Sequence, residues 1–308
     1  MTTLAITGGT GFVGRHLLRL VTERDWQARA LARRPQEAVP SIFWVAGALD
    51  QPAGLARLVA GADAVIHVAG VVNAADRAGF AAGNIAGTAA VIAAARDAGI
   101  RRFVHVSSLA AREPGLSDYG WSKAESEKLV AESGLDWSIV RPPAVYGPGD
   151  MEMLDMFRMA ARGIVALPPG GRLSVIAAQD LARLLLALAK GGTPGGTYEP
   201  DDGRPGGWSH GDFARALGAA VQRRVRTLAV PAALLRIGAG IDGLVRGRGA
   251  KLTPDRVRYF CHPDWVVDPG RAPPAQLWQA EIATPAGLNA TAGWYRARGL
   301  LPSPRHRT

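Results

Sequence analysis

The chain has 308 residues and carries 36 lysines and arginines against 26 aspartates and glutamates, a formal net charge of +10. A hydrophobic share of 48% and a charged share of 20% are typical of a soluble globular protein and exclude a largely disordered chain. The single cysteine, Cys261, excludes an intramolecular disulfide framework and is typical of a reducing compartment. No secretion signal and no apolar run of membrane-spanning length is recognisable, so we expect a cytoplasmic protein.

Short apolar runs alternate with helical patterns through the first 145 residues. The predicted strands are Leu4–Thr7, Ala28–Ala32, Phe43–Val45, Ala64–Val68, Phe103–Val106 and Trp137–Arg141. The helical patterns are Phe12–Glu23, Phe80–Ala98 and Tyr119–Glu132. Continuous apolar strands separated by helices predict an α/β fold, a doubly wound parallel (Rossmann) sheet covered on both faces. Ligands of such sheets bind at the carboxyl ends of the strands.

The alternation stops after Arg141, where Pro142-Pro143 and the Gly147–Gly149 turn follow. A helix is predicted over Met151–Arg162, and one more strand–helix pair over Leu173–Ile176 and Asp180–Lys190. We therefore predict a dinucleotide-binding domain at 1–145, completed by 173–192. Residues 146–172 and 193–308 are predicted to form a smaller, mainly helical substrate-binding lobe.

A glycine-rich loop joins the first strand to the first helix. Gly8 suits the tight turn, Gly11 lets the backbone approach a pyrophosphate, and Gly14 lets helix and strand pack closely. The helix begins at Phe12-Val13, so its first amides and its dipole favour phosphate at this end. The loop predicts dinucleotide binding.

The end of the second strand indicates which dinucleotide is bound. An NAD site usually places a carboxylate there for the ribose hydroxyls, but this chain has Arg33-Arg34. An arginine at this place pairs with a 2′-phosphate, so we favour NADP(H) over NAD, with Arg33 the first contact and Arg34 the second. Two arginines facing solvent after a strand are the alternative.

A tyrosine and a lysine four residues apart share one face of the helix after the fifth strand. A lysine cation near Tyr119 stabilises the phenolate, so we expect Lys123 to lower the pKa of Tyr119 and to suit it for proton exchange with a substrate oxygen. Ser107-Ser108, at the end of the fifth strand, offers a hydroxyl to hold the same oxygen.

Taken together, these motifs resemble the extended, epimerase/dehydratase-like branch of the short-chain dehydrogenase/reductase superfamily. The resemblance covers nearly the whole chain and is specific up to about residue 190. The matching segments are Thr7–Gly14, Asp63–Gly70, Asn84–Thr88, Ser107-Ser108, Tyr119–Lys123, Arg141–Pro148, Asp180–Ala182 and Trp294-Tyr295.

The resemblance implies a role for each matching residue. Ser108 orients the substrate oxygen, Tyr119 is the acid/base, and Lys123 tunes Tyr119 and binds the nicotinamide ribose; Ser107 is structural. Asn84 either supports the site or caps or kinks its helix. The cofactor-binding set that the resemblance completes is Gly8, Gly11, Phe12, Val13, Gly14, Arg33, Arg34, Leu49, Ala69, Gly70, Lys123 and Pro142.

Three positions depart from the family pattern. Ala48 stands where an acidic residue often contacts adenine, and Gln179 stands where a histidine is common. Ala144 replaces the asparagine that helps many members to hold a nucleotide sugar. We therefore expect a small, apolar, lipid-like or isoprenoid-like substrate. Since no histidine has a partner at metal-ligand spacing, we expect no metal.

The excess positive charge lies in the second half of the chain. Residues 1–153 carry 15 basic and 15 acidic residues, whereas ten basic residues fall between 215 and 258 alone. The apolar stretch Val230–Val245 runs into Arg246, Arg248, Lys251, Arg256 and Arg258, an arrangement similar to the hydroxysteroid dehydrogenases of this branch. It favours peripheral contact with an anionic membrane through 230–258, or a helix of the substrate lobe with a solvated basic flank. Sparse aromatics among these arginines argue against nucleic-acid binding.

These observations predict an NADP(H)-preferring oxidoreductase that interconverts a secondary alcohol and a ketone. The alternatives are an epimerase or dehydratase that uses bound NAD(P) transiently, and a non-catalytic dinucleotide-binding accessory subunit. The Ser108, Tyr119 and Lys123 set argues against the accessory subunit, because a protein that only binds has no use for a tuned phenol. A homodimer is compatible with the sequence.

Overall fold

A computed structural model describes residues 2–246 and 253–302. Its backbone groups into two units. The first unit comprises the residues up to Pro142, Gln179–Pro200 and Pro269–Gln279; the second comprises Pro143–Ala178 and the described residues of 201–268 and 280–302. Our division of the chain into a dinucleotide-binding domain and a substrate-binding lobe, which assigns roles as well as boundaries, stays a prediction.

Strands and helices alternate along the described chain. The strands are β1 (Thr3–Thr7), β2 (Gln27–Ala32), β3 (Ile42–Ala46), β4 (Ala64–His67), β5 (Arg102–Val106), β6 (Asp136–Val140), β7 (Ala144–Tyr146), β8 (Ile164–Leu167), β9 (Arg172–Leu173), β10 (Val175–Ala177), β11 (Gly196–Tyr198), β12 (Trp208–Ser209), β13 (Arg226–Ala229) and β14 (Asp264–Trp265). The α-helices are α1 (Phe12–Glu23), α2 (Pro52–Val59), α3 (Arg77–Phe80), α4 (Gly87–Asp97), α5 (Asp118–Ala131), α6 (Leu154–Arg162), α7 (Ala178–Lys190), α8 (His210–Ala220), α9 (Ala232–Arg246), α10 (Pro254–Phe260) and α11 (Thr284–Ala297). A π-helical segment, Ala81–Ala86, lies between α3 and α4, and a 3-10 helix, Leu109–Arg112, follows β5.

The first unit is built on a seven-stranded sheet in the order β11-β6-β5-β4-β1-β2-β3. Every neighbouring pair is parallel, which confirms the predicted Rossmann-like α/β fold. Ala5 of β1 packs into one core with helices α2, α4 and α5, whereas Leu4 and Ile6 point to the opposite face and are also fully buried. Burial on both faces explains why the strands are apolar at successive positions.

The helical stretch Arg77–Asp97 is long and apolar enough to cross a membrane by length and composition alone. Part of this stretch packs within the first unit, because Val91, Ile92 and Ala95 of α4 are buried in the core beside the sheet.

The second unit has its own core. Large buried side chains from α6, α8, α11 and β7 meet there, including Tyr146, Phe157, Phe213 and Tyr295. Besides the helices, the unit contains the strand pairs β7–β10 and β8–β13 and the three-stranded sheet β12-β9-β14. The strand predicted over Leu173–Ile176 is divided between β9 and β10 and is not part of the seven-stranded sheet, and the other short strands were not predicted. Of the predicted basic cluster, Arg248, Lys251 and the side chain of Arg246 lie outside the described residues.

Candidate active site

The glycine loop after β1 requires glycine at two positions. Gly8 has a φ of +74°, and a Cβ added to it would lie 2.6 Å from the amide nitrogen of Ala69. A Cβ on Gly14 would lie 2.1 Å from the carbonyl oxygen of Gly8. The first turn of α1 therefore lies directly against the loop, and no other residue fits at either place.

The start of α1 leaves backbone donors open. The N-cap residue is Gly11, so no side chain caps the helix, and the first turn holds no acidic residue. The amides of Phe12, Val13 and Gly14 precede the first intrahelical bond, which Arg15 donates to Gly11 at 3.0 Å. Three free amides at the positive end of a helix dipole, beside a loop without side chains, fit a pyrophosphate.

Two arginines stand at the end of β2, and both are exposed. Within the described part of the chain, neither the Arg33 nor the Arg34 guanidinium makes a hydrogen bond or an ion pair. Both are therefore available to an external anion. Leu49, after β3, is half-buried and packs on the start of α4, where a Cβ added to Gly87 would lie 2.7 Å from its Cδ1. The predicted adenine side of the site is thus apolar at Leu49 and basic at the arginines.

The serine and tyrosine of the predicted catalytic set face each other. Ser108 ends the loop after β5 and caps the 3-10 helix, accepting a hydrogen bond from the Ala110 amide at 3.2 Å. Tyr119 lies in the first turn of α5, which Ser117 caps through the Gly120 amide at 2.9 Å. Burial raises the pKa of the Tyr119 phenol, and its hydrogen bond with Ser108 opposes this rise. We expected Lys123 to lower the pKa of the Tyr119 phenol. This prediction is wrong, because the desolvation of the phenolate outweighs the effects that lower its pKa.

The ammonium of Lys123 is held by the backbone. Lys123 is buried, and its Nζ donates to the carbonyl oxygen of Val106 at 2.9 Å. A Cβ added to Gly70 would lie 3.0 Å from this Nζ, so the backbone of Gly70 passes close to the ammonium. Burial lowers the pKa of Lys123 to about 8, and the nearby Glu127 carboxylate opposes this shift.

Asn84 ties the loop after β4 to helix α5. Its Oδ1 accepts from the Val71 amide at 2.7 Å, and its Nδ2 donates to the Val71 carbonyl at 3.0 Å and to Ser122 Oγ at 2.8 Å. It lies in the π-helical segment, which inserts a residue into the helix register. The sequence left two roles open for Asn84, support of the site and a cap or kink of its helix. The structure supports both, because Asn84 lies at a helix irregularity and its hydrogen bonds join the loop after β4 to α5.

A buried ionic network lies behind Lys123. The Glu127 carboxylate accepts from Ser107 Oγ at 2.5 Å and from Arg141 at 2.9 and 2.6 Å. Arg141 also contacts the fully buried carboxylate of Glu199 at 3.4 Å. This network was not predicted, although Glu127 follows Tyr119 and Lys123 at intervals of four residues and so shares their helix face.

Two histidines lie under the site as core residues. His67 and His105 stack with ring centroids 5.4 Å apart, and both are buried. His67 shares hydrogen bonds with the hydroxyls of Thr7, at 2.6 Å, and Thr88, at 3.0 Å. Burial, reinforced by the charge of Lys123, lowers the pKa of His67 to about 3 and that of His105 well below its usual value. Both rings are neutral at physiological pH.

Comparison with known proteins agrees with this geometry. The family model that matches residues 8–190 is described as NAD(P)H-binding and covers more than half of the chain. A ceramide reductase from Caulobacter vibrioides (strain NA1000 / CB15N) is 38% identical over 312 residues, which cover 97% of this chain and 96% of that protein. The chain belongs to the NAD(P)H-binding family of extended short-chain dehydrogenases/reductases.

Two further proteins are similar to this dehydrogenase/reductase, one in sequence and one in fold. A 4-hydroxy-2-methyl-3-oxo-4-farnesyl-3,4-dihydroquinoline-1-oxide ketoreductase from Stigmatella aurantiaca is 32% identical, covering 65% of this chain and 68% of that protein. The crystal structure of gox2253 superposes with a TM-score of 0.76 at 21% identity, covering 98% of this chain and 99% of that chain, and so shares its fold. The protein is an NAD(P)-dependent oxidoreductase that acts on a small molecule.

The first unit of the oxidoreductase fits a nicotinamide dinucleotide. Gly8 and Gly14 let the loop lie directly against the start of α1, where the amides at 12–14 precede the first intrahelical bond. Ala69 and Gly70 follow β4, and Pro142, whose carbonyl accepts from the Leu109 amide at 3.0 Å, follows β6. These predicted contacts all lie at the carboxyl edge of the sheet, where the strands of this fold meet their ligand. When bound, the dinucleotide supplies or accepts a hydride.

Proposed function

We propose that this oxidoreductase reduces the ketone of a long-chain, ceramide-type lipid to a secondary alcohol, with NADPH as the preferred reductant. The observation that carries the proposal is the full-length similarity to a ceramide reductase in a chain with a complete serine, tyrosine and lysine set. A ceramide carries a secondary alcohol, so an alcohol/ketone oxidoreductase acting on it has the corresponding ketone as its oxidised substrate.

The state of Tyr119 supports the reductive direction. Because burial raises the pKa of its phenol, the group holds its proton at neutral pH. A protonated phenol beside the Ser108 hydroxyl is a general acid for the ketone oxygen as hydride reaches the carbonyl carbon. Ser108 holds that oxygen, and the positive charge of Lys123 stabilises the phenolate that remains until solvent returns the proton.

The exposed arginines support NADPH. Arg33 and Arg34 follow β2, at the place where the fold meets the adenosine ribose, and no carboxylate of the chain stands there. A 2′-phosphate gives a guanidinium a charge-assisted partner that NADH lacks.

We propose that the protein works in the cytoplasm, where its single cysteine stays reduced.

The test is a reduction assay with purified full-length protein. An N-acylated 3-keto sphingoid base in mixed micelles is offered with NADPH or NADH, and cofactor oxidation and the mass of the product are followed. We expect the alcohol to form faster with NADPH. Tyr119→Phe should lower kcat by about 10²- to 10⁴-fold. Arg33→Ala should raise the KM for NADPH more than tenfold and leave that for NADH unchanged, whereas exposed Arg24→Ala should change neither.

Three outcomes would overturn the proposal. Turnover of a 3-ketosteroid but not of the keto lipid would replace the substrate class and keep the reaction. Conversion of a nucleotide sugar without net cofactor oxidation would indicate an epimerase. No turnover, together with a Tyr119→Phe variant that functions in cells as well as wild type, would indicate a dinucleotide-binding accessory protein.

A further inference from the structure

Helix α9 of the second unit exposes an apolar face. Leu234, Ile237, Ile241 and Leu244 are 56%, 59%, 57% and 88% exposed, respectively. Their spacing of three and four residues places them on one side of the helix. The opposite side of the helix is buried against the protein, because Ala239 is only 2% exposed. A soluble domain usually turns the apolar side of a helix inward, so an outward apolar face indicates a contact outside the chain.

Arginines lie near this face along the chain. Between residues 223 and 246 the chain carries five arginines and a single acidic residue, Asp242. Arg224 and Arg226 lie at the entry to β13, and Arg236 lies on α9; all three are exposed. Among the described residues, none of these three guanidinium groups has an ion-pair partner. The stretch from Arg224 to Leu244 thus combines exposed aliphatic side chains with these three exposed arginines.

We propose that the outer face of α9, with Arg224, Arg226 and Arg236, docks the protein on the surface of an anionic membrane. Aliphatic side chains enter the boundary between headgroups and acyl chains, while arginines remain at the level of the lipid phosphates. Each arginine near such a surface adds attraction that salt screens. This inference concerns a surface of the second unit and is independent of the substrate proposed above.

Charge favours a membrane over a second copy of the chain. In a two-fold symmetric dimer the same patch meets itself, so the arginines of both copies would be brought together. The segment 223–246 contains a single carboxylate, that of Asp242, against five arginines. A phosphate surface, in contrast, complements every arginine of the patch.

The test is co-sedimentation of the full-length protein with vesicles of phosphatidylcholine alone or mixed with phosphatidylglycerol. We expect binding to the mixed vesicles that weakens as salt is raised. Ile237→Gln/Ile241→Gln and Arg226→Gln/Arg236→Gln should each weaken this binding at least tenfold. Glutamine is a good helix former, so the backbone of α9 is retained. NADPH binding and the thermal midpoint should stay at wild-type values.

Two control variants are matched to these changes. Phe43→Gln/Met151→Gln removes two apolar side chains of similar exposure, 54% and 55%, outside α9. Arg24→Gln/Arg96→Gln removes the same charge from exposed positions of the first unit. Both controls should bind vesicles like wild type. No binding of wild type, equal loss in the controls, or a change of the Ile237→Gln/Ile241→Gln variant from dimer to monomer with unchanged vesicle binding would overturn the proposal.

Discussion

At the scale of single residues, the carboxylate of Glu127 connects Lys123 of the candidate site to the end of the sheet. It accepts hydrogen bonds from Ser107 and Arg141, and its charge raises the pKa of Lys123 against the effect of burial. A buried carboxylate with three donors is stable because each charge has a partner. It therefore keeps Lys123 protonated over a wider pH range than burial alone would allow.

Replacing Glu127 should change both the pH profile and the stability. In Glu127→Gln the pKa of Lys123 should fall below its value of about 8, because the opposing charge is lost. The alkaline limb of kcat should then move to lower pH. Arg141 would lose its closest ionic partner, at an expected cost of about 3–5 kcal/mol in the free energy of unfolding. Urea unfolding and a pH–rate profile measure the two effects.

The control is Glu125→Gln, two residues earlier on the same helix. Glu125 pairs with Lys128 at 2.7 Å at the surface, where the Lys128 side chain is 64% exposed. Such a pair contributes little, about 0–1 kcal/mol. Its loss should leave the pH profile and the unfolding curve as in wild type. Identical pH profiles for Glu127→Gln and wild type would show that Glu127 does not tune Lys123.

At the scale of elements, helix α1 illustrates what a local sequence determines. Its observed bounds, Phe12–Glu23, are those predicted, because apolar periodicity fills it and a glycine loop precedes it. The stretch predicted as one helix over Phe80–Ala98 is instead α3, a π-helical segment and α4. The π-helix depends on the bonds of Asn84 to Val71 and Ser122, which lie 13 and 38 residues away, so no periodicity within the helix indicates it.

Apart from the stretch Leu173–Ile176, which overlaps β9 and β10, the short strands of the second unit were not predicted, for a related reason. Strands β9, β12 and β14 have two residues each and pair across intervals of more than 30 residues. Two residues show no alternation, so pairing alone defines them. The candidate site was easier to predict, because its residues fall in short motifs at the ends of strands and at the starts of helices, whereas the network of Glu127, Arg141 and Glu199 brings together distant positions.

Helical glycines offer a paired test of the close contact between α1 and its loop. Gly14→Ala would place a methyl group 2.1 Å from the Gly8 carbonyl oxygen, so α1 must move away from the loop. We expect a loss of about 1–3 kcal/mol in the free energy of unfolding and at least tenfold weaker NADPH binding. Gly293 of α11 has no atom within 4 Å of an added Cβ, so Gly293→Ala should stabilise by about 0.5–1 kcal/mol. Wild-type NADPH affinity in Gly14→Ala would contradict the proposed phosphate site.

At the scale of the whole molecule, the stacked histidines couple stability to pH. His67 lies on β4 and His105 on β5, near the middle of the seven-stranded sheet, and both stay neutral when folded. A histidine whose folded pKa is lowered contributes stability that is complete above about pH 6.5, its unfolded value, and that is lost as the pH falls toward the folded value. The folded protein should therefore weaken in mild acid, before its surface carboxylates are protonated.

The contribution of His67 can be isolated by comparing two unfolding curves. With a folded pKa of about 3, His67 should cost wild type about 2 kcal/mol between pH 8 and pH 5. His67→Gln keeps a polar side chain between Thr7 and Thr88 but cannot be protonated. Between pH 8 and pH 5, the free energy of unfolding of this variant should therefore fall less than that of wild type, by the amount that His67 contributes. Asp150, whose pKa burial raises to about 6, changes stability in the opposite direction but equally in both proteins, so it cancels from the difference. Parallel dependence on pH, measured by urea unfolding at several values from 8 to 5, would show that the sheet tolerates a charged His67 or that its unfolded state holds the ring equally buried.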